Sequence, residues 1–313
     1  MQLSAVSGAL GPPARPLPPE GGVGRACGKA ILLGEHFVVH GARAIAVPLL
    51  GRGVRVAIAP AAPLTSERRL APVPEALASA LAAMLERLGH AADDVARLSL
   101  DSTLPIAAGL GSSAAVAVAL VRALGEQDPS RVRALAHDLE HLAHGKPSGI
   151  DDAVVSLERA ILFQRAAAGP SITPLDVRVP PLWVALVPRT APTRDAVSGV
   201  ARMREADPIA FAARVAATDG LVAAALRALA AADDAGVGAL MDEAHALLEQ
   251  IGVVDARHRS IVEAARRAGA LGAKTTGAGH GGAVLVLAPR TAALEPALMA
   301  AGATEVFFAG AIV

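Results

Sequence analysis

The chain has 313 residues, 53% of them apolar but only 2% aromatic, with 29 basic and 29 acidic side chains. This length suits one large domain or two ordinary ones and is ample for a full core built from Leu, Val, Ile and Ala. Few rings and zero formal net charge argue against a base-stacking nucleic-acid reader or a polyanion coat, so no nucleic-acid partner is expected.

The lone cysteine, Cys27, excludes an intrachain disulfide and a cysteine zinc site. No uncharged apolar run reaches the length of a membrane span, and the start has neither a basic leader region nor a long apolar stretch. The expectation is a soluble cytoplasmic protein without a membrane partner.

In chain order, residues 1–22 are rich in Pro and Gly and read as a disordered tail. Residues 30–49 read as buried strands broken at Gly34 and Gly41, and 54–60 as a further strand. A helix is predicted over 74–89 and an alternating strand over 97–105. The segment after the glycines at 109 and 111 is apolar on every side, the mark of a buried helix. A helix over 129–145 and a strand over 158–164 follow, and 165–180 reads as a connection. A buried strand over 181–188 opens the second half. Helices follow near 194–204, 208–231, 236–250 and 256–269. A glycine-rich loop at 274–282, a strand over 283–289, a helix near 291–301 and a last strand close the chain. The pattern is α+β, as a tail (1–22), a first domain (23–180) and a second (181–313).

Four segments carry candidate chemistry. In PIAAGLGSSAA (105–115), strand, glycines and a helix opening on serines form an anion-site layout. Glycines admit close backbone approach, and the helix start offers free N–H groups and a positive dipole end. Ser112 and Ser113 add hydroxyls for phosphate or Mg²⁺. A capped helix start is the plainer reading of such a loop. KTTGAGHGG (274–282) places four glycines within six positions, suited to close approach to a ligand or to the first loop.

EHLAHGKPSGIDDAVV (140–155) supplies Glu140, then Asp151 and Asp152 after a turn. Phosphoryl transfer needs a metal-binding acid and often a carboxylate near the attacking hydroxyl, whereas helix capping is the ordinary use of an Asp pair. In GKAILLGEHFVVHG (28–41), Lys29 opens an apolar run and Glu35-His36 follows Gly34. Charged groups there need partners if buried, or form a surface hairpin tip. His137, His141 and His144 share a helical face, a spacing seen in zinc sites, but without an HExxH pattern surface and interface histidines are the preferred reading. Only three of the basic residues are lysines, and Lys29, Lys146 and Lys274 each adjoin a glycine-rich segment.

Together and in this order, these segments resemble the mevalonate kinase family of the GHMP kinase superfamily. GKAILLGEHFVVHG, PIAAGLGSSAA, HGKPSGIDDAV and GAKTTGAGHGG carry the resemblance, joined by PTRDAVSGV (192–200) and the stretch 251–274. It implies a two-domain fold, the N-terminal domain ribosomal protein S5 domain 2-like and the C-terminal domain ferredoxin-like. It further implies an ATP- and Mg²⁺-dependent kinase phosphorylating the C5 hydroxyl of mevalonate, with room for a homodimer. Another GHMP small-molecule kinase or a non-catalytic sensor on the same fold are the alternatives.

By the same resemblance Asp151 is the catalytic aspartate and Lys29 the lysine beside it. Ser113 and Glu140 are the Mg²⁺ ligands. Ala108, Gly109, Leu110, Gly111, Ser112 and Ser113 wrap the ATP phosphates. Glu35, His36, Ser148, Thr193, Gly277 and Gly279 are substrate-side candidates. Three positions depart from the family pattern: Lys146 replaces an uncharged residue, His280 interrupts the last glycine run, and Asp152 stands where Asn is common.

Overall fold

The structure, a computed structural model, describes residues 14–60, 73–105, 108–145, 147–166, 169–189 and 193–310. The first strands are β1 (Gly22–Leu33) and β2 (Arg43–Ile58), an antiparallel pair whose register shifts at Cys27/Gly28, so that Leu50, Gly51 and Arg52 loop out of β2. β1 alternates buried and exposed up to Cys27 and is wholly buried from there to Leu33. The change has a packing cause. Beyond the bulge Ile31 joins one core and Ala30 and Leu32 another, so both faces are covered.

After helix α1 (Glu75–Arg87) comes the edge strand β3 (Leu98–Ser102), paired with β2. α2 (Ser112–Ala123) is buried on all sides, as its sequence requires. It lies directly on β1, where a Cβ at Gly24 would stand 1.9 Å from the Ala119 carbonyl oxygen. Glycine on the strand and alanine on the helix permit this approach, which brings the start of α2 level with Lys29. α3 (Pro129–His144), α4 (Ile150–Leu157), β4 (Ile161–Ala166) and β5 (Gly169–Pro174) complete the first half. Its sheet runs β1-β2-β4-β5 with β3 on β2.

The second half contains β6 (Leu182–Val187), α5 (Thr193–Ala206), α6 (Pro208–Ala230), α7 (Asp234–Gln250) and α8 (Ala256–Arg267). β7 (Gly272–Thr276), β8 (Gly282–Leu287), α9 (Leu294–Ala300) and β9 (Glu305–Gly310) end it. The antiparallel sheet order is β7-β8-β6-β9. Leu182 and Val184 face a core with Val222 of α6 and Met241 of α7, whereas Trp183 and Ala185 face one with Ile261 of α8 and Leu298 of α9. Coverage on both faces explains why β6 reads as an unbroken apolar run. The α6–α7 core also contains Leu32, Ile45 and Val47 of the first sheet, so the two halves share packed apolar surface.

α6 is long and apolar enough to cross a bilayer. In this fold it places Phe211, Val222, Ala225 and Leu229 in the interior, and its Asp219 accepts from Arg43 of β2.

Three expectations need correction. Part of the expected tail is packed: Leu17 is 2% exposed and joins the α1–α2 core, while residues 1–13 lie outside the described residues. Strand β5 occupies part of the expected connection, drawn in by its ladder with β4 despite a Gly, Pro and Ser composition. β7 is a strand where a loop was expected, because KTT pairs with the apolar β8 and is buried throughout.

Candidate active site

Lys29 organises the site with its main chain and its side chain. Its N–H donates to the Leu110 carbonyl at 2.9 Å, which fastens the glycine loop to β1. Its aliphatic stem passes under Gly111, where a Cβ would stand 2.8 Å from Cγ. Gly111 also has φ 74 at the position before α2, so both space and backbone demand glycine there. The Nζ lies 3.1 Å from Oδ1 of Asp151. The lysine side chain is 5% exposed and the aspartate 32%, leaving a carboxylate both paired and open to a ligand.

Asp151 sits in the first turn of α4, which begins after Gly149 at φ 84. Ser148 Oγ accepts from Ile150 N at 3.3 Å, so its hydroxyl shapes this turn. The adjacent Asp152 points the other way. It is 1% exposed, with Oδ1 3.2 Å from His137 Nδ1, and burial pushes its carboxyl above the usual range. The structure therefore separates the two neighbouring aspartates: one is open beside a lysine, the other buried beside a histidine.

At the head of α2, Ser113 Oγ donates to Glu140 Oε1 of α3 at 2.5 Å. A hard divalent cation takes oxygen ligands, keeps several waters and uses one or two carboxylates besides phosphate. A hydroxyl and a carboxylate meeting beside a helix start match that donor chemistry, so these residues fit Mg²⁺. Ala108 and Leu110 are buried, and Ser112 and Ser113 are half-buried. Ile106, Ala107 and Lys146 lie outside the described residues.

The C-terminal glycine loop, which joins β7 to β8, lies against this one. A Cβ on Gly277 would be 3.6 Å from the Gly109 Cα, and one on Gly282 3.0 Å from the Ala108 carbonyl oxygen. Gly279, at φ 79, abuts the Val253 carbonyl, where a Cβ would be only 2.2 Å away. His280 holds φ 50 in the same loop, and its N–H donates to Val253 O.

Glu35 is 3% exposed and its carboxylate bonds Lys274 of β7, which is wholly buried and also donates to Thr275 O at 2.8 Å. As placed, Glu35 offers no surface to a substrate, unlike the substrate-side role that the resemblance implies. Burial lowers the Lys274 pKa, against the pull of Glu35. His36 (φ 61) lies beside Gly277 and Ala278. Its buried Nε2 has no hydrogen-bond partner among the described residues, and burial drives its pKa down to about 4. Thr193 opens α5, and its side chain lies outside the described set.

Among the described residues no group of three ligating side chains is gathered for a metal, and the His144 side chain lies outside them. His137 pairs with Asp152, and His141 Nδ1 lies 2.9 Å from Gly145 O. Sequence reasoning assigned no role to Lys274 or to the His137–Asp152 pair. The scarcity of lysine was the available signal for the first, and nothing local pointed to the second.

The chain matches the model of the GHMP kinases N terminal domain over residues 75–159 and that of the GHMP kinases C terminal over 225–302. It is 33% identical to a mevalonate kinase of Aeropyrum pernix over 83% of this chain and 86% of that protein. It is 30% identical to a mevalonate kinase of Pyrococcus abyssi, over 83% and 87%. The crystal structure of L. major mevalonate kinase in complex with R-mevalonate superposes with a TM-score of 0.79 at 29% identity, covering 94% of this chain and 97% of that one.

Proposed function

Because the chain belongs to the mevalonate kinase family of the GHMP kinases, we propose that it transfers the γ-phosphoryl group of ATP to the C5 hydroxyl of mevalonate. The observation that carries the site assignment is the Lys29–Asp151 pair: a half-open carboxylate on a buried lysine whose stem lies under the glycine loop.

In this reading Asp151 accepts the hydroxyl proton as the alcohol oxygen bonds the γ-phosphorus and the bond to the ADP oxygen breaks. Lys29 offsets charge developing on the attacking oxygen, a preorganised cation that needs no rearrangement during the step. The N–H groups at the head of α2, with the Gly109–Gly111 backbone, receive the phosphates. Ser113 and Glu140 would hold Mg²⁺, which when bound would neutralise phosphate charge. Glycines 277 and 282 back the phosphate loop and hold it against movement, and alignment of the reactants supplies much of the rate. His36 and Ser148 border the acceptor side. Glu35 acts from behind, through Lys274.

The test is a coupled ADP-release assay with Mg-ATP and mevalonate, with phosphomevalonate and galactose in parallel. Turnover confined to mevalonate is expected. Turnover with another acceptor would keep the phosphate site and overturn the acceptor. ATP binding without ADP release from any acceptor would favour a ligand sensor.

A further inference from the structure

The transfer step leaves one half-buried polar pair beside the site without a task. His137 Nδ1 and Asp152 Oδ1 stand 3.2 Å apart, across α3 and α4. α3 carries Glu140 one turn beyond His137, and α4 carries Asp151 immediately before Asp152. A single contact thus ties the helix of the metal carboxylate to the helix of the base.

Three further observations make it a clamp rather than a surface pair. Asp152 is 1% exposed and its Oδ2 has no partner among the described residues, so its carboxylate leans on His137, which is itself 35% exposed. The imidazole lies against the turn that launches α4, where a Cβ on Gly149 would be 3.6 Å from Cε1. His141 meets the ring edge-on, with centroids 4.9 Å apart. α4 itself spans only eight residues between left-handed residues Gly149 and Glu158, so its own hydrogen bonds constrain its direction weakly.

We propose that the His137–Asp152 pair is a positioning element, setting the spacing of α3 and α4 so that Asp151 and Glu140 address the same phosphoryl group. The proposal rests on the kinase reading above. Neither residue touches the reacting atoms. Their effect passes through the placement of Asp151 and Glu140, where a displacement near 1 Å costs up to about 100-fold in rate.

The test compares His137→Ala, Asp152→Ala, the double variant and Asp152→Asn in the full chain. It measures kcat and KM with Mg-ATP and mevalonate, the Kd for Mn-ATP, and thermal unfolding. Each alanine variant should lose about 10- to 100-fold in kcat, with the KM for mevalonate changed less than about threefold. The double variant should be no worse than the poorer single one, and Asp152→Asn, which keeps the reach to His137, should recover most of the rate. Full kcat in either alanine variant, additive losses, or an Asn variant as impaired as the alanine one would overturn the proposal.

If the alanine variants fail to fold, His137→Gln set against Asp152→Asn carries the same comparison. If wild type turns over no acceptor, the acceptor assignment fails by itself. Mn-ATP affinity then decides: alanine variants weakened about tenfold are expected, and equal affinities would overturn the clamp.

Discussion

Two lysine–carboxylate pairs adjoin the glycine loops and do opposite things. Lys29–Asp151 leaves its carboxylate 32% exposed, whereas Lys274–Glu35 leaves its own 3% exposed. The first holds a charge ready where a ligand can reach it. The second buries both charges, so each is tolerable only because the other is there. Charge type and spacing are therefore poor guides to role. What separates a reacting group from a strut is access.

The sharpest test of this contrast is to cut each pair. Asp151→Ala should lower kcat by about 10³-fold or more, and Lys29→Met by about 10²- to 10³-fold, the fold being retained in Lys29→Met because Asp151, 32% exposed, still reaches solvent. ADP release and thermal melts check both, and near-normal turnover in Asp151→Ala would remove it as the base.

The buried pair should fail differently. Lys274→Ala or Glu35→Ala should cost about 3–5 kcal/mol of stability, because a charge stays buried alone, while the double change Lys274→Met with Glu35→Leu should cost less than either. Urea unfolding measures this, and a Glu35→Ala protein of full stability would end the contrast.

A smaller effect follows from His245, which is buried beside the Lys274 strand and accepts from Thr275 N at 3.3 Å. Burial first, and the Lys274 cation second, lower its pKa to about 3. A base depressed below its ordinary value of 6.5 contributes stability that is present above that pH and lost as the pH falls toward 3. The melting temperature should decline below pH 6.5, with a shallower slope in His245→Asn. An unchanged slope would assign the acid loss to other groups.

The smallest effect belongs to the partly exposed bridge from Arg43 to Asp219, whose two 2.7 Å contacts need a guanidinium fork. Arg43→Lys should cost about 1 kcal/mol or less, since water already screens this link between β2 and α6. A larger loss in urea titration would place it with the buried pair.

Much of this protein was legible from its residues alone. Among the described residues, periodicity and punctuation located eight of the nine α-helices, from α1 to α9. α4 was the exception, its first residues having been read as the end of a turn that presents two acids. The glycine loop ahead of the paired serines, and the two acids after Gly149, each read more plainly as helix caps, and only their order along the chain pointed to phosphoryl transfer. β5 and β7 were not legible, since their strand character comes from the ladders with β4 and β8 rather than from their own composition. The resemblance implied that Asp151 stands beside Lys29, as it does, whereas long-range packing alone decided that Glu35 is spent on Lys274 and that His137 reaches Asp152. Local sequence sets which conformations a segment can adopt. Which face of it meets water, and which charge meets which, depends on partners as far apart as Arg52 and Glu305, and those meet only once the sheets have packed.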